Sequence, residues 1–394
     1  MNKRSVRDLD VGGKRVLVRV DFNVPVKAGE VTDDTRIRRA LPTIRHLLEN
    51  GARPVLISHL GRPKGEPDPK YAMDPVAKRL EELIGAPVLK LDAAVGLEVE
   101  EALKNWDAEG GVVLLENSRF YPGETKNAPE FAEQLATLAD LYVDDAFGAA
   151  HRTHATTVGV AERLPAAAGL LMEDEIDYLD KVLRDPERPF VAILGGAKVS
   201  DKLGVIESLL SVADTLLIGG AMCFTFFKAQ GFEVGKSLVE DEYVEEAGRL
   251  MNEAGERLVL PVDIVVAERM EQTAPAKVVR VDGIPENTMG LDAGPETVER
   301  FGEHIMGART VFWNGPMGVF EINAFAKGTE GVARAVAGSG ATSIIGGGDS
   351  VAAVSKLGLD EAMSYISTGG GASLEYIEGK ELPGIVVLPN KEDA

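Results

Sequence analysis

The chain has 394 residues, 45% of them hydrophobic and 27% charged, with a single cysteine and a formal net charge of −21. That length is more than one hydrophobic core usually serves, so two domains are expected. The acidic balance argues against a nucleic-acid partner, and one cysteine excludes an intrachain disulfide framework and fits a reducing, cytoplasmic setting.

No apolar run reaches the roughly 18 to 20 residues of a membrane helix, so no membrane partner is expected. The opening "MNKRSVRDLDV" lacks the apolar stretch of a signal peptide. Charge is uneven along the chain: residues 1–185 hold 25 of the 42 basic side chains but only 32 of the 63 acidic ones.

Short β-branched runs alternate with longer segments of helical period, the rhythm of βαβ units and a largely parallel sheet. The first half offers strands at "RVLVRV" (15–20), "PVLISH" (54–59), "GVVLLEN" (111–117) and "LYVDDAF" (141–147). Between them, "DTRIRRALPTIRHLLENG" and "DPVAKRLEELIG" read as helices closed by glycine. An acidic, helix-prone stretch at 172–189 ends in two prolines and marks a boundary. Beyond it, "PFVAILGG", "DTLLIGG", "RLVLPVDIVVA", "TVFWNGP", "ATSIIGGG" and "MSYISTGGG" read as strands. The expected fold class is α/β: two Rossmann-like domains, 1–170 and 189–380, with mostly parallel sheets joined by a hinge helix at 171–188.

Ligands of open α/β sheets sit beyond the carboxyl ends of the strands. There the first half places Asp21 and Asn23, then His59 and Arg62, then Arg119, then His151 and Arg152, with Arg36 just after the first strand's loop. Any one arginine alone reads as a solvated surface charge. Three successive strands delivering one to the same edge read as a pocket for a small, multiply anionic molecule. Asp21 and Asn23 would bind its hydroxyl groups.

The second half ends its strands in glycine: "LGGAKVSDK", "IGGA", "WNGPMGVFE", "IIGGGDS" and "STGGGAS". Uncovered N–H groups at such turns accept phosphate, and an Asp beside them implies a hard cation. Lys198 and Lys202 stand one helical turn apart. "QGFEVGKS" (230–237) imitates a phosphate loop but is one residue short, and no G-x-G-x-x-G occurs. "HRTH" has no cysteine or carboxylate at ligand spacing, so zinc is not expected. Cys223 reads as a small buried hydrophobe.

The stretches "RVDFNVP", "SHLGRP", "ENSRFYPGE", "DAFGAAHR", "GGAKVSDK", "WNGPMGVFE", "GGGDS" and "STGGGAS" stand in the order seen in phosphoglycerate kinases. From residue 15 to about 384 the chain resembles a bacterial-type member of that family. The resemblance implies reversible, Mg²⁺-dependent phosphoryl transfer between 1,3-bisphosphoglycerate and ADP, giving 3-phosphoglycerate and ATP. It assigns phosphoglycerate to the first domain through Asp21, Phe22, Asn23, Arg36, His59, Leu60, Gly61, Arg62, Arg119 and Arg152. Nucleotide falls to Lys202, Gly290, Asn314, Glu321, Gly347, Gly348, Asp349 and Ser350, with Asp349 directed at the metal. Arg36, Lys198, Gly370 and Gly371 would surround the transferring group. The resemblance also implies a monomer whose C-terminal tail, 381–394, returns to the first domain.

Ser118, Asp144, Ala221, Cys223 and Phe224 depart from the family pattern, and the last three leave the shape of the nucleotide wall open. Two other readings remain. A carboxylate–amine ligase would need an amine and release free phosphate. A catalytically silent nucleotide binder would be expected to have lost Arg36, Lys198 or Asp349, and all three are present.

Overall fold

The computed structural model describes residues 2–106 and 110–393. The chain divides into two compact units, one of residues 1–177 with 381–394, the other of residues 178–380. Residues 1, 107–109 and 394 of the expected first domain and tail lie outside the described residues.

The first unit is built on β1 (Arg15–Arg19), β2 (Arg53–Ile57), β3 (Val88–Lys90), β4 (Val112–Leu114), β5 (Leu141–Asp144) and β6 (Ala166–Ala168), in the order β3-β4-β2-β1-β5-β6. Every pairing in it is parallel. Val16 and Val18 pack with Ile37, Ile44 and Leu47 of helix α1 (Thr35–Glu49) in one buried cluster. Covered on both faces, the strands read as near-continuous apolar runs, as parallel strands do. The chain leaves β1 for β2 on one side and reaches β5 on the other. The strand order therefore reverses at β1, which sets up a crevice at its carboxyl end.

The second unit carries β7 (Phe190–Leu194), β8 (Thr215–Ile218), β9 (Leu258–Val259), β10 (Asp263–Ala267), β11 (Lys277–Arg280), β12 (Met289–Ala293), β13 (Thr310–Asn314), β14 (Thr342–Gly346) and β15 (Tyr365–Ile366). Six of these form a parallel sheet in the order β9-β8-β7-β13-β14-β15, with its reversal between β7 and β13. The other three form an antiparallel sheet, β11-β10-β12. Both main sheets are parallel, as the alternating pattern predicts.

Several readings of strands need correction, since Val88–Lys90, Lys277–Arg280 and Met289–Ala293 also went unread. "RLVLPVDIVVA" is not one strand. It breaks around Pro261, whose missing N–H cannot extend a ladder, and its halves join different sheets. The strand Ala166–Ala168 went unread because alanine carries no β signal. Its backbone nevertheless pairs with Tyr142–Asp144 as the sheet edge.

Helix α2 (Leu170–Leu183) contains the point where the units divide, between Asp177 and Tyr178. Its start is fixed by Asp145, whose Oδ1 accepts from the backbone N–H groups of Leu171 (2.9 Å) and Met172 (3.3 Å). Gly169 is required there, because a Cβ would fall 2.1 Å from that same oxygen. The tail runs along the first unit: Gly384 N donates to Ala150 O at 2.8 Å and Arg4 N to Pro389 O at 2.9 Å.

Burial pushes the Asp145 carboxyl up to about 8, against the pull of its bonds to Thr43, Met172 and Leu171. The folded chain thus keeps a proton that the unfolded chain releases near 3.8. The stability this gives is complete below about pH 4 and is lost as pH rises through about 8. Asp145→Asn keeps the Oδ1 acceptor and removes the titration. Melting curves should show a shallower fall in Tm between about pH 5 and 8, with the variant ahead of the parent by about 2 °C or more at the upper end. Equal slopes would show that Asp145 is ionised throughout.

Candidate active site: two half-sites on two units

In the first unit the crevice beyond β1, β2, β4 and β5 holds the arginine cluster. Arg36, in the first turn of α1, donates to Asp21 Oδ2 at 2.5 Å, and Asp21 is buried. Asn23 Oδ1 accepts from Gly61 N at 2.8 Å, tying the loop after β1 to the loop after β2. Arg119 donates to Gly61 O at 2.6 Å.

The proximity of the basic groups shows in their electrostatics. His59 is held well below its usual value, first by burial and then by Arg19, Arg119, Arg152 and Arg36 in turn. Arg119 is pushed down to about 10 by burial and by the neighbouring Arg152 and Arg19 charges. Four of the expected residues, Arg36, His59, Arg119 and Arg152, therefore lie close enough for the arginine charges to bear on the histidine as one electropositive cluster. Such crowding of like charge is unfavourable in isolation and is relieved by an anion.

Arg62 stands exposed and lines a separate hollow of about 380 Å³ with Lys64 and Tyr71. Phe22 and Leu60 are buried and act through backbone: Phe22 N donates to Ser58 Oγ, and Leu60 N and O both bond the Asn117 side chain. Asn117, for which the sequence suggested no role, also holds Arg119 N (3.0 Å) and Tyr71 O (2.9 Å). Arg19 was likewise passed over. An arginine inside an otherwise apolar strand was the available signal.

The second unit presents the glycine-lined half-site. At the β7/β13 reversal a Cβ on Gly195 would meet Pro316 O at 2.1 Å, so only glycine lets the two loops touch. Beside them lies a cavity of about 240 Å³ lined by Gly196, Ala221, Cys223, Phe224, Gly290, Met317, Glu321 and Asp349, among others. Ala221, Cys223 and Phe224 do form its wall.

Lys202 donates to Asn314 Oδ1. Burial draws the Lys202 ammonium below its ordinary value, against the pull of Asp201 and Asp349. Asn314 Nδ2 is buried with no partner among the described residues, and a Cβ on Gly347 would come within 2.8 Å of it. That donor is aimed at the turn that opens helix α3 (Gly348–Lys356), where Gly347 has φ +87°. Gly348 and Asp349 are exposed in its first turn.

Ser350 is not open to a ligand through its hydroxyl. It is fully buried, and its Oγ accepts from Gly315 N at 2.5 Å. Lys198 is exposed and is not among the cavity's lining residues. Gly370 (φ +55°) and Gly371 open the short helix α4 (Gly371–Ile377). The false phosphate loop at 230–237 supports the cavity wall instead, where Ser237 Oγ accepts from Gly290 N at 2.9 Å.

Gly290 stands against a ring. A Cβ there would lie 2.0 Å from Phe224 Cζ, so Gly290→Ala must drive that ring aside. Phe224 also lines the cavity, which leaves it little other room. Titration calorimetry should show nucleotide affinity falling about tenfold, as for an overpacked site worth about 1 to 3 kcal/mol. Binding of phosphoglycerate should be unchanged. Unaltered nucleotide affinity would mean the ring swings away from the cavity.

An arginine-rich crevice in one unit and a glycine-lined cavity in the other, each at the switch point of its own parallel sheet, suit a phosphotransferase, and that is the class to which the chain's relatives belong. The phosphoglycerate kinase family model matches residues 6–380, and the chain belongs to that family. It is 75% identical over 393 residues to the phosphoglycerate kinase of Rubrobacter xylanophilus, each chain fully covered. It is 58% identical to that of Moorella thermoacetica, over 99% of this chain and 100% of the relative. Among solved structures it resembles the Coxiella burnetii phosphoglycerate kinase (TM-score 0.88, 43% identity, 98% of each chain) and that of Pyrococcus horikoshii OT3 (TM-score 0.84, 34% identity, 98% of each).

Proposed function

We propose that the chain catalyses reversible phosphoryl transfer between 1,3-bisphosphoglycerate and ADP, giving 3-phosphoglycerate and ATP. The observation that carries this reading is the pocket in which Arg36, His59, Arg119 and Arg152 crowd together. A small acid bearing both carboxylate and phosphate neutralises such a cluster. In this reading Asp21 and Asn23 serve its hydroxyl and Arg62 its charge.

Transfer of this kind rests on positioning and charge neutralisation rather than on covalent help. In the ATP-consuming direction the acceptor is a carboxylate with no proton to lose, so no general base is needed. That accounts for a donor set of guanidinium, ammonium and backbone N–H. Lys202, Asn314 and the N–H groups of Gly347, Gly348 and Ser350 hold the nucleotide phosphates, while Gly290 and Glu321 serve the nucleoside. Arg36, Lys198, Gly370 and Gly371 serve the group in flight.

The residues fit a Mg²⁺–nucleotide. Asp349 supplies one exposed carboxylate, and among the described residues no cluster of three or more metal-ligating side chains forms a dedicated cage. That is the arrangement expected when phosphates and water complete the coordination. Held by Asp349, magnesium would supply charge neutralisation at the phosphates.

The test is a coupled assay supplying 3-phosphoglycerate and Mg–ATP, with the acyl phosphate trapped by its dehydrogenase and NADH. Turnover abolished by EDTA supports the reading. No turnover with nucleotide still bound would move the chain to the silent binders.

A further inference from the structure

Arg19 is fully buried in β1 and has no place in the roles assigned above. Its Nε donates to Thr156 Oγ1 at 2.8 Å, one terminal nitrogen donates to Val20 O at 2.5 Å, and the other lies 2.9 Å from His59 Nδ1. A guanidinium has donors and no acceptor. The imidazole nitrogen it meets must accept, so Nδ1 carries no proton. A neutral ring with a bare Nδ1 holds its proton on Nε2.

The direction of each bond behind Arg19 is fixed as well. Thr156 has one hydroxyl proton, given to Glu124 Oε1 at 2.6 Å, which leaves a lone pair for Arg19 Nε. Glu124 is fully buried and also accepts from Thr156 N at 3.1 Å. Although burial opposes ionisation, His154, Arg19 and Thr156 hold its carboxyl below the ordinary value. The chain Glu124–Thr156–Arg19–His59 therefore has one proton arrangement.

We infer that Arg19 is a positioning residue that locks His59 as the neutral Nε2–H tautomer, giving the pocket a fixed uncharged donor in place of a titrating cation. The charges bearing on the ring are Arg19 from β1, Arg36 from α1, Arg119 from the turn after β4 and Arg152 from the loop after β5; all four disfavour imidazolium. Asp21, Glu124, His154, Tyr142 and Asp144 are other titratable groups of this region; Asp144 lies across the sheet from Arg19, and burial pushes its carboxyl up to about 7. The consequence for substrate rests on the proposed function: affinity for 3-phosphoglycerate owes His59 a hydrogen bond and no charge, so histidine titration leaves it untouched.

The experiment is nitrogen–proton correlation NMR on the full chain, whose five histidines are sorted with a His59→Gln spectrum. His59 should remain neutral and Nε2-protonated from about pH 8 to about pH 5. A proton on Nδ1, or a titration within that range, overturns the inference.

In Arg19→Gln, whose amide can donate or accept, His59 should begin to titrate. The KM for 3-phosphoglycerate should rise about tenfold at pH 8, the worth of one good hydrogen bond. It should then fall toward the parent value as acid charges the ring. The KM for nucleotide should not move. Arg19→Lys keeps a donor-only partner and should retain the parent tautomer. If Arg19→Gln does not fold, Thr156→Val, which removes the relaying hydroxyl, should give the same pH dependence at smaller amplitude. A profile like the parent's in the folded variant overturns the inference. Should the parent not turn over 3-phosphoglycerate, the functional reading fails, while the tautomer measurement still decides the role of Arg19.

Discussion

Arg36→Ala should lower kcat/KM for 3-phosphoglycerate by about three orders of magnitude while leaving nucleotide affinity unchanged. Two losses add. The first is the guanidinium itself, whose charge-assisted bonds to substrate and transferring group are worth about 1.5 to 3 kcal/mol each. The second is what the alanine uncovers. Asp21 is buried, and its ion pair with Arg36 at 2.5 Å is the contact that neutralises it in the pocket. Without Arg36 that carboxylate faces an anionic substrate directly. A sum of about 4 kcal/mol gives the thousandfold. The second loss can be separated, because Arg36→Ala combined with Asp21→Asn should regain part of the activity lost in the single variant. Arg36→Lys should recover little, since an ammonium does not reproduce a fork held on two partners. Steady-state kinetics in the coupled assay reads all three. A loss below about tenfold in Arg36→Ala would remove Arg36 from the group in flight.

The pocket's composition also explains how a chain of net charge −21 handles an anionic substrate. Where its strands end, the first unit gathers Arg19, Arg36, Arg119 and Arg152 around His59, with Asp21 and Glu124 as counter-charges among them, so the local field opposes the global one. Burial makes this costly: Arg119 is pushed down to about 10. The crowding is consistent with a site that is most stable when an anion occupies it.

The residues legible in the sequence were those whose position, rather than whose partner, carries the meaning. Arg36, Arg119 and Arg152 follow strands of strong β-branched character, so topology placed them at one edge. The glycines of 347–348 follow "SII" in the same way, and the cavity beside them was foreseeable from the run of bare backbone. What was illegible depends on partners distant in sequence. Nothing local shows that Asn117 will bond Leu60, Tyr71 and Arg119 at once, or that the Ser350 hydroxyl will be taken by Gly315. Arg19 drew no reading at all, because its partners Thr156 and His59 lie 137 and 40 positions away. The edge strand Ala166–Ala168 was hidden for another reason: its backbone pairs with β5 while its side chains give no propensity signal.

The two lysines after β7 should separate binding from transfer. Lys202 is partly buried and bonded to Asn314, whose free amide N–H faces the Gly347 turn. In the proposed function it serves the nucleotide phosphates, and a nucleotide would then meet it already held by Asn314. Lys202→Ala should therefore weaken ADP binding by about tenfold to a hundredfold, and kcat at saturation should suffer less. Lys198 is exposed and, like Lys202, lies outside the lining of the 240 Å³ cavity; what separates the two is that Lys202 is partly buried and bonded to Asn314. In the proposed function the Lys198 charge acts when negative charge spreads over the transferring group. An interaction made only in the transition state lowers kcat and kcat/KM together. Lys198→Ala should cut kcat by about a hundredfold to a thousandfold, as removal of one stabilising donor does elsewhere, with ADP affinity within about twofold of the parent. Calorimetry for binding and saturating kinetics for turnover check both variants. The same loss of ADP affinity in both would mean that Lys198 also serves the ground state, and the transferring group would then depend on Arg36 and the backbone of Gly370 and Gly371 alone.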